Sequence, residues 1–175
     1  ERGLVDFWRK KLQRVSGFRV GVNWYGRSSR GAHRQRDIPI HCLASLAQTP
    51  GVRLISLQKG DPQQKLAAHG DPESVVDFGG DIDQEQGAFM DTAAIMMNLD
   101  VVISSDTSIA HLAGALGVPV WLALPFVPNW RWLQNRNDCP WYPTMRLFRQ
   151  QTTGDWDSVF ATVRAELNQR IRATQ

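Results

Sequence analysis

The chain has 175 residues, of which 42% are hydrophobic and 21% are charged, and 20 basic against 17 acidic residues leave a net charge of +3. This length suits one domain of roughly 100–200 residues, and the composition excludes wholesale disorder and collagen-like sequence. The small net charge argues against a general nucleic-acid-binding protein, and no apolar run reaches the roughly 18 residues that a membrane helix needs.

Short apolar segments alternate along the chain with segments of helical periodicity. From the amino end, the sequence predicts helix 1–17, strand 19–24, helix 39–46, strand 52–57, helix 61–68 and strand 74–78. The prediction continues with helix 91–99, strand 100–104, helix 107–116, strand 118–122, strand 145–148 and helix 155–173. This alternation is typical of parallel βαβ units. We therefore expect one α/β domain over 1–175, a Rossmann-like open, mainly parallel sheet with helices on both faces.

The segment Ser104–His111 has the most distinctive pattern, because a predicted strand ends there and a helix begins. In open α/β sheets, ligands bind beyond the carboxyl ends of the strands, and the free N–H groups at a helix amino end bind phosphate. Asp106, Thr107 and Ser108 occupy this junction and form a candidate phosphate-binding turn. The alternative is a well-capped helix without a ligand, because Asp and Thr are favoured at that position in any case, and Asp106 is placed to cap it.

A second group of polar residues follows the first two predicted strands. The segment 25–37 is rich in arginine, and a diphosphate between it and the candidate turn would be neutralised from two sides. Its candidate contacts are Gly26, Arg27 and Arg36. The alternative is a solvated basic loop. Lys59 follows the second strand at the same edge of the sheet, where it either reaches a phosphate or remains in water.

Other chemistry-bearing residues are few. His111 stands four positions after Thr107, where it either faces the ligand or packs in the core. The histidines have no ligand-like spacing, and Cys42 and Cys139 lie far apart, so the sequence predicts no metal site and no disulfide framework, which fits a reducing cytoplasm. The dinucleotide fingerprint, the P-loop and the nucleophile elbow are absent. The chain opens at Glu1 without a methionine, and we expect a fragment of a longer protein.

Several motifs together carry a resemblance to a known family. The segment Asp100–Leu122 resembles the phosphate-binding turn of heptosyltransferase-like GT-B glycosyltransferases, with the pattern Asp-Thr-small-x-x-His-Leu-Ala before Gly-x-Pro. Further segments are similar to the carboxyl-terminal transferase region of bacterial tetratricopeptide-repeat proteins: Val20–Arg27, Arg36–Ile40, Leu54–Gly60, Leu124–Leu133 and Pro140–Gln150. The resemblance extends from about residue 19 to residue 167 and does not indicate the substrate.

The resemblance implies that the chain is the carboxyl-terminal, donor-binding half of a GT-B enzyme, a class that works without a metal. Asp106, Thr107 and Ser108 match the diphosphate-contacting turn of the family, and Ser108 replaces a common glycine or alanine. Arg36 matches a basic residue that neutralises the donor phosphates, with arginine where heptosyltransferases have lysine. The general base of the family is expected in the amino-terminal half, so the catalytic residues are not assigned here and the isolated chain is expected to be inactive.

The implied reaction moves a sugar from a nucleotide diphosphate sugar to an acceptor hydroxyl, with no cofactor. The alternatives are a catalytically inactive module that binds nucleotides or proteins, and a structural domain that serves oligomerisation. Expected partners are the nucleotide sugar, an amino-terminal GT-B domain, tetratricopeptide repeats of the same protein, and a second copy of the chain through an uncovered cleft face. The sequence does not indicate the sugar, the base or the acceptor.

Overall fold

A computed structural model describes residues 2–26, 35–60 and 75–174 of the chain. Its helices are α1 (Arg2–Leu12), α2 (Ile40–Ala47), α3 (Met90–Met96), α4 (Ser108–Ala115) and α5 (Trp156–Thr174). Short 3-10 turns cover Gly79–Asp81 and Trp130–Trp132. Within the described ranges, no helix combines the length and the apolar composition that crossing a membrane requires.

Among the described residues, six parallel strands form one sheet. They are β1 (Phe18–Asn23), β2 (Val52–Ser56), β3 (Val75–Val76), β4 (Val101–Ser104), β5 (Val120–Leu124) and β6 (Met145–Arg149). Their order across the sheet is β3-β2-β1-β4-β5-β6, and every neighbouring pair is parallel. From β1 the chain adds β2 and β3 on one side, and from β4 it adds β5 and β6 on the opposite side. The boundary between β1 and β4 is therefore the switch point of a doubly wound sheet. The prediction of an α/β Rossmann-like fold is confirmed.

Both faces of the sheet are buried, which explains why the strands are apolar runs without polar alternation. Val101 and Ile103 of β4 face one helix layer, whereas Val102 faces the other. The first layer consists of α2 and α5, which contribute Leu43, Leu46, Val159, Val163 and Leu167. The second layer consists of α1, α3 and α4, which contribute Trp8, Leu12, Ile95, Ile109 and Ala113.

The boundaries of several elements differ from the predictions. β5 starts at Val120, later than the predicted residue 118, because Gly117 turns the chain with a φ of 72° and the N–H of Val118 donates to the carbonyl of Ala113 at 3.0 Å. These two residues therefore close α4 instead of opening the strand. The leading helix ends at Leu12, before the predicted end at residue 17. The predicted helix 61–68 lies outside the described residues.

The register between β1 and β4 aligns the carboxyl ends of these two strands. Asn23, the last residue of β1, pairs with Ser104, the last residue of β4. The N–H of Ser105 then donates to the carbonyl of Asn23 at 3.0 Å and extends the contact past the strand ends. The turn into α4 consequently begins directly at the switch point.

Candidate functional site

A cavity of about 910 Å³ lies at the carboxyl edge of the sheet, lined by residues that follow β1, β2, β4 and β5. The structure brings seven of the predicted site residues to this one cavity: Gly26, Arg36, Lys59, Asp106, Thr107, Ser108 and His111. Arg27 lies outside the described residues. The position agrees with the general rule for ligand binding in doubly wound sheets.

The amino end of α4 opens without a side-chain cap. Thr107 occupies the N-cap position with extended backbone angles (φ −135°, ψ 171°), and its side chain makes no capping hydrogen bond. The expectation that Asp106 caps the helix is wrong, because Asp106 lies one residue before the cap position and its carboxylate is 3.8 Å from Nε2 of His111. Backbone N–H groups in the first turn of a helix have no intrahelical partner, so they are the natural donors for an anion in the cavity.

The hydroxyl of Thr107 has a partner within the protein. It donates to Oδ1 of Asn23 at 2.8 Å and lies 3.2 Å from Oγ of Ser104. Oγ of Ser104 in turn donates to the carbonyl of Ser105 at 2.8 Å. Because a hydroxyl has a single proton, Thr107 in this arrangement holds the turn against β1 and does not donate to a ligand.

Gln58 fixes the chain where it leaves β1. Its buried side-chain Oε1 accepts from Nδ2 of Asn23 at 3.1 Å and from the N–H groups of Trp24 and Tyr25 at 3.3 and 3.0 Å. Its Nε2 donates to the carbonyl of Lys59 at 3.2 Å. Sequence reasoning missed both Asn23 and Gln58. The available signal was a polar amide immediately at the end of an otherwise apolar strand.

Arg36 lies directly against Gly26. A Cβ atom placed on Gly26 would be 2.5 Å from Nη2 of Arg36, so only glycine admits the guanidinium at this position. The N–H of Gly26 donates to Oδ1 of Asp37 at 3.2 Å, which holds the glycine in place. Nε of Arg36 is buried and has no hydrogen-bond partner among the described residues. A buried donor without a partner is costly, so an anion bound here would stabilise the site.

Lys59 lines the cavity, and its side chain is held by residues of the segment before α3. Its Nζ donates to the carbonyl of Ile82 at 2.8 Å and lies 3.0 Å from the buried carboxylate of Asp83. Thr92 donates to the same carboxylate from its N–H and its hydroxyl, at 3.0 and 2.6 Å. Burial alone would raise the pKa of Asp83, but the bonds from Thr92 and the charge of Lys59 outweigh it and lower the pKa. Much of the Lys59 charge is therefore neutralised by Asp83.

The sequence left open whether His111 faces the cavity or packs in the core, and in the structure it does both. Its ring stacks on Trp132 with centroids 5.2 Å apart, and Nδ1 is 3.0 Å from the hydroxyl of Tyr142. Nε2 is 3.1 Å from Nη1 of Arg131. Burial lowers the pKa of His111, the charge of Asp106 raises it, and the charge of Arg131 lowers it. The balance favours the neutral ring.

Arg131 and Asn129 were also missed by sequence reasoning. Both line the cavity from the segment after β5. Oδ1 of Asn129 accepts from the N–H of Arg131 at 3.2 Å and from its Nε at 3.0 Å. The sequence signal was weak, because a single arginine between two tryptophans indicates packing as readily as binding.

One group of metal-ligand side chains occurs among the described residues, away from the cavity lining. The side-chain ligand atoms of His41, Cys42 and Asp157 lie within 4.8 Å of one another, between α2 and α5. Burial, together with the charge of Asp157, raises the pKa of the Cys42 thiol to about 12. Without an ion, a thiol with this pKa is protonated near neutral pH, so a metal would have to displace the proton before it could bind the sulfur. Cys42 and Cys139 are both buried and free.

FlbA is a curated protein to which this chain is similar in sequence. No protein-family model matches the chain. The chain is 28% identical to Protein FlbA of Caulobacter vibrioides over 169 residues, which cover 93% of this chain and 27% of FlbA. The chain thus spans about a quarter of the length of that relative.

Solved structures give a closer account of the fold. ADP-heptose lps heptosyltransferase II of E. coli matches with a TM-score of 0.67 at 14% identity, over 97% of this chain and 53% of that protein. A glycosyl transferase of family 9 from Veillonella parvula matches with a TM-score of 0.56 at 12% identity, over 90% and 45%. The E. coli heptosyltransferase WaaC with ADP matches with a TM-score of 0.56 at 14% identity, over 92% and 48%. The chain spans about half the length of these proteins. It has the Rossmann-like fold found in heptosyltransferase-like glycosyltransferases.

Proposed function

We propose that this chain is the donor-binding domain of a metal-independent glycosyltransferase, which moves a sugar from a nucleotide diphosphate sugar to an acceptor hydroxyl. One observation carries the proposal: the uncapped amino end of α4 lines the same cavity as Arg36, a cation whose buried Nε has no partner among the described residues. Both features favour an anion, and together they suit a diphosphate. A structural neighbour, the heptosyltransferase WaaC, was determined with ADP, which is a nucleoside diphosphate.

The proposed contribution to catalysis is electrostatic. When the sugar departs, negative charge develops on the nucleoside diphosphate. Preorganised N–H donors of α4 and the guanidinium of Arg36 stabilise this charge, which is the part that a divalent ion plays in other enzymes. Asp106, Thr107 and Ser108 shape the turn that presents these donors. Lys59 contributes less than its formal charge indicates, because Asp83 is its partner.

The general base is proposed to come from elsewhere. Among the described residues that line the cavity, Asp106 is the single carboxylate, and it lies beside His111. The chain also covers only about half of its structural neighbours. We therefore expect the isolated chain to bind a donor without turnover, and expect the complete protein to add an amino-terminal domain. We also propose that the complete protein contains the tetratricopeptide repeats that the sequence resemblance implies.

The same observation supports a second candidate, a catalytically inactive nucleotide-binding module. The two candidates share the diphosphate site and differ in whether the complete protein transfers a sugar. Radiolabelled transfer from nucleotide sugars, measured on the full-length protein with Arg36 intact and with Arg36→Ala, separates them. Transfer that depends on Arg36 supports the enzyme, and donor binding without transfer supports the module.

Calorimetric titration of the chain with UDP, ADP, GDP and CDP tests the shared site. We expect one of these to bind, and Arg36→Ala to reduce the binding free energy by roughly 1.5–3 kcal/mol, the contribution of hydrogen bonds to a charged group. The matched control is Arg9→Ala, which removes the same charge from an exposed pair with Asp6 on α1. Failure of every nucleoside diphosphate to bind would overturn the proposal.

A further inference from the structure

Arg131 has the features of a preorganised anion-binding group. It lies in the 3-10 turn Trp130–Trp132 after β5, is half-buried, and lines the cavity. Its guanidinium is held at two points, since Nε donates to Oδ1 of Asn129 at 3.0 Å and Nη1 contacts Nε2 of His111 at 3.1 Å. A side chain fixed in advance loses little conformational entropy when a ligand binds.

The contact with His111 defines the state of the imidazole. A guanidinium can only donate, so Nε2 of His111 accepts, and the ring is neutral with its proton on Nδ1. Nδ1 then donates to the hydroxyl of Tyr142, 3.0 Å away, while the ring stacks on Trp132. With both nitrogens engaged, His111 has no remaining ring donor for a ligand. Its position makes it a support for Arg131.

The net charge of the cavity lining indicates that a second cationic side chain is needed to bind a diphosphate. Lys59 is held by Asp83, and Asp106 adds a negative charge to the lining. Arg36 alone would balance Asp106 and leave little net positive charge for a diphosphate. Nη2 of Arg131 has no acceptor among the described residues, whereas Nε and Nη1 are engaged. Two N–H groups on that nitrogen are therefore ready to bind an oxygen anion.

Arg131 also lies near the proposed phosphate donors. His111, which it contacts, follows Ser108 by three positions on α4, and residues with that spacing are neighbours on one face of a helix. The guanidinium is consequently about one helical turn from the amino end of α4. A diphosphate that receives N–H donors from α4 is within reach of Arg131.

We propose that Arg131 is the second guanidinium of the diphosphate site, binding phosphate oxygens together with Arg36, and that His111 is the positioning residue that orients it. This inference rests on the proposed function. It assigns the segment after β5 to donor binding. His111 then affects binding by orienting Arg131 and does not contact the ligand.

The first experiment compares Arg131→Ala with Arg136→Ala in calorimetric titrations with the nucleoside diphosphate that the parent chain binds. Arg136 forms an exposed pair with Asp138 and does not line the cavity, so the control removes the same charge from the same segment. We expect Arg131→Ala to raise the dissociation constant by roughly 10- to 150-fold, as for the loss of hydrogen bonds to a charged group, and Arg136→Ala to leave it within about twofold.

Arg131→Met serves as a second variant, because it keeps the aliphatic bulk next to Trp132 and His111 while it removes the charge. Thermal unfolding of each variant shows whether the fold persists. The corresponding nucleoside monophosphate, titrated in parallel, should lose less affinity than the diphosphate in Arg131→Met. Equal affinity of Arg131→Met and the parent for the diphosphate would overturn the inference.

A double-mutant cycle tests the indirect part of His111. If His111 acts through Arg131, then His111→Ala weakens binding in the parent and adds nothing in the Arg131→Ala background. His111→Gln, which retains an acceptor oxygen, should restore part of the affinity that His111→Ala loses. Additive losses would show that His111 contacts the ligand itself, and the positioning role would then be wrong.

The outcomes separate this inference from the proposed function. If the parent binds no nucleoside diphosphate, both are wrong. If the parent binds and Arg36→Ala weakens binding while Arg131→Ala matches Arg136→Ala, only the assignment of Arg131 is wrong. If Arg131→Ala and Arg36→Ala both weaken binding and the control does not, the second guanidinium is established.

Discussion

The hydroxyl of Thr107 donates to Oδ1 of Asn23 across 2.8 Å, between residues that are 84 positions apart in sequence. This bond joins the turn after β4 to the end of β1, at the point where the crossovers change direction. Asn23 is buried, and its Nδ2 is held by Gln58 at 3.1 Å, so its amide orientation is defined. The candidate phosphate turn is thus anchored to a second strand.

Removal of this hydroxyl should destabilise the protein. Thr107→Val keeps the shape of the side chain but leaves Oδ1 of Asn23 without its donor, so we expect a loss of about 1–3 kcal/mol in the free energy of unfolding. Urea denaturation measures this change in the free energy of unfolding. Thr107→Ser retains the hydroxyl and is the control, which should remain within about 0.5 kcal/mol of the parent. A Thr107→Val protein as stable as the parent would show that the bond contributes nothing.

A change at Gly26 should affect Arg36 without altering the net charge. In Gly26→Ala, the new methyl group would meet Nη2 of Arg36 at 2.5 Å, so the flexible guanidinium must move. We expect nucleoside diphosphate binding to weaken by up to about 1.5–3 kcal/mol, with little change in stability. Gly80→Ala is the control, since a Cβ there meets nothing within 4 Å. If Gly26→Ala bound the nucleoside diphosphate as tightly as the parent, Arg36 would not be part of the binding site.

Nucleoside diphosphate binding should be independent of divalent metal ions. The proposed site supplies arginine and backbone donors, and Asp106 is the single carboxylate among its described lining residues, whereas Mg²⁺ is held mainly by carboxylates and phosphates. Calorimetric titration with magnesium and with a chelator provides the comparison. A loss of affinity of about tenfold in chelator, ~1.4 kcal/mol, would count against the metal-independent site.

The stability of the fold should depend on the protonation of His111. Burial lowers the pKa of His111 below its ordinary value of 6.5, with Asp106 opposing and Arg131 reinforcing the shift. The unfolded chain therefore takes up this proton first as the pH falls. The stabilising contribution is complete above pH 6.5 and is lost as the pH falls from there to the lower pKa of the folded protein.

His111→Gln should lack this pH dependence. Denaturation of the parent and the variant at several pH values between about 7.5 and 5 gives the difference, and imidazole NMR signals give the titration midpoint directly. A midpoint at or above 6.5 in the folded parent would contradict the prediction. Asp106→Asn provides a further check, because loss of the opposing carboxylate should lower the midpoint.

The sheet could be predicted from the sequence because its signal is local. Buried parallel strands are apolar runs, and Val101–Ser104 and Val120–Leu124 have such a pattern in their own residues. The candidate phosphate-binding turn could be proposed for the same reason, since Asp106 and Thr107 stand next to a strand end. The placement of Thr107 at the N-cap, in the position given to Asp106, depends on the contact with Asn23, which no local pattern contains.

The partners of the site residues could not be predicted. Lys59 meets Asp83 and Arg131 meets His111 only after the sheet brings distant loops to one edge. Their sequence separations carry no periodicity that would indicate a contact. The sequence therefore placed Lys59 at the edge of the sheet where the cavity lies, but it gave neither the partner of Lys59 nor the position of Arg131.

The convergence of Asn23, Gln58 and Thr107 at one point makes the candidate site depend on the folding of the whole sheet. These residues come from three strand ends that meet only when β1, β2 and β4 are aligned, so the unfolded chain offers no partial site. If the proposed site binds a nucleotide, that nucleotide at 100 times its dissociation constant adds about 2.7 kcal/mol to the stability of the fold. For a chain of this size, that raises the melting temperature by roughly 5–11 °C. The preferred base and phosphate length can be ranked by heating the protein with each nucleotide, without an acceptor or a working enzyme.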